Sequence, residues 1–227
     1  MEDVDLALID ACEYFKDRGV VSAYRWGSSV RNDYRPGISD FDNLIIVDDV
    51  KRPPTETEFK EYIDRNYPQL FRFHVNYLSL DEIEGNTPHN KLIKLFPVDY
   101  LLDQFHTWKY VWGRRFSRED FKINPWNTEE IIQYHKKFAL DQFKDIESKY
   151  STGLHYLPVK SCIVLCYHLH KKIKGDHEYN YLTILNNVTD QTKDMLPLLM
   201  DLRAEQYPVE KVRVSVSAII EWLEKKV

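Results

Sequence analysis

Apolar residues recur at helical spacing near the start of the chain. Leu6, Ile9, Ala11, Cys12 and Phe15 predict an amphipathic helix over residues 4–17, ending near Gly19. The period then changes. Residues 20–26 read as a strand, and residues 40–47 as a second one whose apolar run occupies 44–47. Between them a short helix is expected from Ser28 to just before Pro36. Pro53 and Pro54 mark a loop, Phe59, Tyr62 and Ile63 a helix, and residues 71–78 a third strand. Alternation there places Phe71, Phe73, Val75 and Tyr77 on one face and Arg72, His74 and Asn76 on the other.

Beyond residue 80 the strand signals fade. Residues 97–110 read as a helix, with Tyr100, Leu101, Phe105 and Trp108 on its apolar side. The turn-rich piece 124–127 marks a boundary, and Asn127 ahead of Glu129 and Glu130 resembles a helix start. Helical patterns follow near 128–149, 157–173, 178–204 (broken around Asp190) and 208–225. Helices joined by short connections make a bundle. The expected architecture is α+β: a small mixed β-sheet domain over 1–123, then an all-helical bundle over 124–227.

Candidate chemistry concentrates in residues 24–47. A small-residue turn, Gly27-Ser28, stands a short spacer ahead of Asp40 and Asp42, which lead into an aliphatic strand. Side chains alternate along a strand, so the two aspartates point the same way and can share a divalent cation. A turn with free backbone N–H groups is a good seat for phosphate oxygens. An EF-hand is excluded: with Asp40 as loop position one, position twelve is Lys51 rather than a glutamate. A P-loop is excluded too, because no Gly-Lys-Ser/Thr follows the turn.

Gly27-Ser28, the spacer ending Arg35-Pro36-Gly37-Ile38-Ser39, then Asp40-Phe41-Asp42 and an aliphatic strand resemble the nucleotidyltransferase superfamily of the DNA polymerase beta type. The small stand-alone members, such as aminoglycoside adenylyltransferases, are the most similar. A weaker echo is the stretch 109–115, similar to the apolar-Gly-Arg segment that closes such domains. The resemblance implies that the first domain is a nucleotidyltransferase domain. It further implies that Gly27, Ser28 and the adjoining Ser29 hold a triphosphate, and that Asp40 and Asp42 ligate Mg2+. ATP is the nucleotide it implies, and the acceptor a hydroxyl on a small molecule or protein. Arg31 lies where a cation can meet the triphosphate, although a surface arginine explains it nearly as well.

One departure stands out. The family places a third carboxylate on a neighbouring strand, yet the polar face of 71–78 carries none. His74 is the candidate base or metal ligand there; a strand histidine bonded to a neighbour is the simpler reading. Glu129 or Glu130 can supply a base from the second domain, but acids at a helix start more often complement its dipole. An alternative function follows: a degenerate nucleotide-binding or partner-binding protein of the toxin–antitoxin kind. The helical half lacks the Arg-to-His spacing of a helical ribonuclease, which argues against a nuclease of its own. A glycosyltransferase using Asp40 and Asp42 is a more distant reading.

Bulk properties narrow the partners. A net charge of −5 without a long basic tract argues against a nucleic-acid substrate. There is neither a basic-then-apolar leader nor a long uncharged apolar run, so no membrane association is expected. Cys12, Cys162 and Cys166 give no disulfide framework, and the cytoplasm is the expected setting. Cys162, Cys166 and His170 share a helix face, a zinc-like set; but apolar neighbours make a packed helix the better reading. Tyr179 and Tyr181 are candidate stacking groups for a base or sugar, with core packing as the alternative.

Overall fold

The computed structural model describes residues 2–31, 39–70, 73–85, 102, 104–122, 128–144, 156–175, 184, 189–204 and 209–227. The stretches 32–38, 71–72 and 124–127, together with Tyr100, Leu101, Tyr179 and Tyr181, lie outside them. Contacts divide the chain into two compact units, Met1–Pro125 and Trp126–Val227.

In the first unit, α1 (Glu2–Phe15) covers one face of the sheet. Its buried stripe is Val4, Ala7, Leu8, Ala11, Cys12 and Phe15, spaced three and four residues apart. The expected stripe was out of phase at Leu6, which is 58% exposed; small Ala7 packs in its place and lets the helix approach the sheet. A 3-10 turn (Lys16–Arg18) and the left-handed Gly19, at φ 91°, then turn the chain into the sheet.

The strands are β1 (Val20–Arg25), β2 (Phe41–Val47), β3 (Phe73–Ser79) and β4 (Lys109–Gly113), in the order β3-β2-β1-β4. β1 runs antiparallel to β2 and β4, whereas β2 and β3 are parallel. A parallel pair needs a crossover, which α2 (Glu56–Asn66) supplies. A capping box starts α2: Thr55 Oγ1 accepts from the Glu58 N–H at 3.1 Å, and Glu58 accepts from the Thr55 N–H at 2.8 Å. A one-turn helix, α3 (Leu80–Ile83), follows β3 directly.

The helix expected over 97–110 is corrected from Gln104 onward, whereas Leu102 is helical. Phe105–Thr107 form a 3-10 turn, and Lys109 and Tyr110 open the edge strand β4. Tyr110, Val111 and Trp112 are strand formers, and β1 offers them an open edge. Pairing with a segment some ninety residues earlier overrides the local helical spacing. Tyr24, on the face of β1 away from α1, anchors the result: its hydroxyl accepts from the Phe116 N–H at 2.6 Å, and its ring packs on Trp108.

The second unit contains α4 (Thr128–Lys144), α5 (Tyr156–Lys174), α6 (Met195–Ala204) and α7 (Val209–Lys226). α5 packs on α4 and α6, and α7 packs on both of those. Residues 161–170 of α5 are all buried, so this helix is enclosed all round. Cys162 and Cys166 lie inside it, where desolvation raises both thiol pKa values. The mixed sheet followed by a helical part is the α+β class expected from the sequence.

Within this unit the imidazole of His135 meets the Ser161 hydroxyl at 2.8 Å and stacks on His168 with ring centroids 6.2 Å apart. Burial pushes the His135 pKa down to about 3 from 6.5. Between those values the unfolded chain binds a proton that the folded chain does not, so stability is complete above pH 6.5 and declines as pH falls. The expected slope is about 1.4 kcal/mol per pH unit for this group. Denaturant melts at stepped pH check it: His135→Gln should flatten the acid limb relative to wild type.

Candidate active site

The site forms where β1 ends and β2 begins. Arg25 pairs with Asn43 in register, and the Trp26 N–H donates to the Asp42 carbonyl at 3.1 Å. The next residue, Gly27, leaves the sheet directly over Asp42. It opens a 3-10 turn, Gly27–Ser29, closed by the Val30 N–H on the Gly27 carbonyl at 3.3 Å. A side chain here would be strained and would have to displace Asp42. Gly27 has φ +73°, and a Cβ would lie 2.3 Å from Asp42 Oδ2. The turn backbone and the carboxylate therefore share one space.

Ser28 is half-buried, whereas Ser29 is buried with its hydroxyl turned back 3.4 Å from the Trp26 carbonyl. Arg31 donates to the side chain of buried Gln104. Asp40 precedes β2 and is half-buried, as is Asp42. The parallel register sets His74 of β3 opposite Asp42.

His74 is where the charges meet. Its Nδ1 lies 3.6 Å from Asp42 Oδ1 and its Nε2 lies 3.7 Å from Glu56 Oε1. The Asn76 amide lies 3.3 Å from Nδ1. The interaction with Asp42 raises the imidazole pKa above 6.5 against the opposing pull of desolvation, and the charges of Glu56 and Asp40 add to the rise. Gly27, Asp42 and His74 are thus brought together, with Asp40 near enough to act on the same imidazole.

Glu56 was missed by the sequence reading, although a signal existed. Thr55-x-x-Glu58 is a capping box that starts a helix at Glu56, and the first residue of α2 reaches His74. Glu129, considered as a base, pairs with Lys172 between α4 and α5. Among the described residues, no group of three or more His, Cys, Asp and Glu side chains is placed to hold a metal ion.

The model of the nucleotidyltransferase domain matches residues 8–227. The chain belongs to that family. As a nucleotidyltransferase it carries the Gly-Ser turn and the two aspartates in the unit that holds the sheet. A similar solved structure is that of spectinomycin adenyltransferase AAD(9) from Enterococcus faecialis, determined with ATP and spectinomycin. The two are 13% identical with a TM-score of 0.58, over 99% of this chain and 98% of that one, which is a likeness of fold. No curated protein matches the sequence.

Gly27→Ala tests the contact on which the site is built. The positive φ costs about 1 kcal/mol of stability or more. Displacing the Asp42 carboxylate from the turn should lower nucleotide transfer by about a hundredfold. A melt and an assay on the same preparation separate the two. Full activity in a folded variant would show that turn and carboxylate need no fixed spacing.

Proposed function

We propose that the chain transfers a nucleoside monophosphate, AMP from ATP, to a hydroxyl on a small molecule or protein, in a magnesium-dependent reaction. The observation that carries this reading is the Gly27–Asp42 approach, which sets a backbone turn against a carboxylate with no side chain between them. The family supports nucleotide transfer, and the ATP and spectinomycin in the AAD(9) structure support ATP and a small-molecule acceptor. Net charge of −5 favours an acceptor other than nucleic acid. We assign the nucleotidyltransferase domain to residues 1–123 and the bundle to 124–227, in keeping with the compact units. Three free cysteines, all buried, accord with a cytoplasmic setting, and no described helix is long and apolar enough to cross a membrane.

The donor set fits magnesium. This ion prefers one or two carboxylates completed by substrate phosphates and water to a cage made wholly of protein. Asp40 and Asp42, both half-buried, would hold it. When bound, the ion neutralises charge on the phosphates. Gly27, Ser28 and Ser29 offer backbone N–H groups to the triphosphate, and Arg31 adds a cation. The acceptor oxygen forms a bond to the α-phosphorus, the bond to the bridging α–β oxygen breaks, and pyrophosphate leaves. His74 takes the hydroxyl proton, with Asp42 and Glu56 favouring its protonated form.

A second reading is a nucleotide-binding or partner-binding relic of the toxin–antitoxin kind. The observation favouring it is that β3, the strand beside β2, sets His74 opposite Asp42 and carries no acid between Phe73 and Ser79.

Calorimetric titration of ATP, with magnesium and then with EDTA, should show binding that is lost with EDTA and in Asp42→Asn. Pyrophosphate release over a panel of hydroxyl acceptors then separates an enzyme from a relic. If a well-folded sample binds no nucleotide, the proposal fails. If His74 is the base, kcat should rise with pH as the imidazole loses its proton, and His74→Asn should lose that limb. An unchanged profile in the variant would remove His74 from the mechanism.

A further inference from the structure

Arg25, the last residue of β1, is 2% exposed, which is unusual for a charged side chain. Ala23 and Arg25 share the face covered by α1, while Tyr24 points the other way. One terminal nitrogen of its guanidinium donates to Asp5 Oδ1 of α1 at 3.0 Å. The other donates to the Ser29 carbonyl at 3.2 Å, at the far end of the Gly27–Ser29 turn. Its Nε has no hydrogen-bond partner among the described groups. Asp5 also pairs with Lys109 of β4. Two strands therefore converge on one carboxylate of α1, and a single arginine connects it to the turn.

Stability alone does not call for an arginine here. Desolvating a guanidinium and leaving a donor unmatched costs free energy, and an apolar side chain packed against α1 is commonly as stable as such a pair. What arginine adds is a rigid fork that can address two acceptors at once. Here they are a fixed carboxylate and a backbone carbonyl in the turn. The start of the turn is tied to β2 through the Trp26 N–H, but Gly27 itself is conformationally permissive. The bond to Ser29 fixes the other end.

We propose that Asp5 and Arg25 are positioning residues for nucleotide binding: the pair clamps the Gly27–Ser29 turn from beneath, in the conformation that receives the phosphates. The inference rests on the nucleotide-transfer reading above and assigns a residue pair outside the turn and the aspartates.

Two variants test it. Arg25→Lys keeps a charge for Asp5 but lacks the fork that also reaches Ser29. Asp5→Asn removes the counter-charge that orients the arginine. With cooperative melts retained, both should raise KM and Kd for ATP about tenfold, the size expected for one charge-assisted hydrogen bond, with the loss in KM rather than kcat. Asp5→Glu, which restores the carboxylate, should recover most of the affinity. Hydrogen exchange at the Trp26 and Val30 amides gives a readout independent of function and should quicken in Arg25→Lys. Wild-type affinity with unchanged exchange in the folded variants would overturn the clamp. If wild type binds no nucleotide, the functional reading fails instead, and faster exchange still supports, or unchanged exchange overturns, the clamping of the turn.

Discussion

The site depends on one close approach. Gly27 and Asp42 are so near that nothing larger than hydrogen fits between backbone and carboxylate. That contact follows from strand pairing: the Trp26 N–H on the Asp42 carbonyl is the last rung of the β1–β2 ladder before the chains part. Moving the register by one residue would turn Asp42 to the opposite face. The ladder is protected by burial, since Leu44, Ile45 and Ile46 are fully enclosed and Asn43 is held by its amide on the Phe41 and His74 carbonyls. Core packing and site geometry are therefore parts of the same constraint.

Electrostatics then decide what such a site can accept. Asp40, Asp42 and Glu56 surround one imidazole, so the carboxylates outnumber the charge that His74 can carry. A triphosphate approaching them meets repulsion that a half-buried setting screens poorly. On the proposed reading a divalent cation is needed to bring the phosphates in, not merely to speed the chemistry. The same cation would compete with His74 for Asp42 and would release the imidazole toward its neutral, proton-accepting form.

How much was legible in the sequence depended on how local each signal was. Gly27, Asp40 and Asp42 lie within one short stretch and are joined by adjacent strands, so their proximity could be read from spacing. β2 and α2 were visible because apolar runs and helical spacing agree with the final structure. β4 was not, because its neighbour β1 is some ninety residues away and nothing in residues 97–110 announces that open edge. Leu6 misled for a different reason: apolar character marked it as core, but Val4, Ala7 and Leu8 complete the stripe that closes on the sheet. Glu56 was hidden because it opens a helix rather than a strand, and it meets His74 only once β3 pairs with β2.

The parts of the site read most easily are the ones that touch a substrate, while the parts that hold them are spread along the chain. Asp5 is twenty residues from Arg25 and 104 from Lys109, and the three meet beneath the turn only once α1, β1 and β4 have assembled. A turn built on a permissive glycine has little conformational preference of its own. Its shape must come from tethers at both ends, one from the ladder and one from the buried arginine. Short-range sequence thus specifies which chemistry is offered, and long-range contacts specify whether it is offered in one geometry. This is why a motif can survive in a chain while its activity depends on residues far outside it.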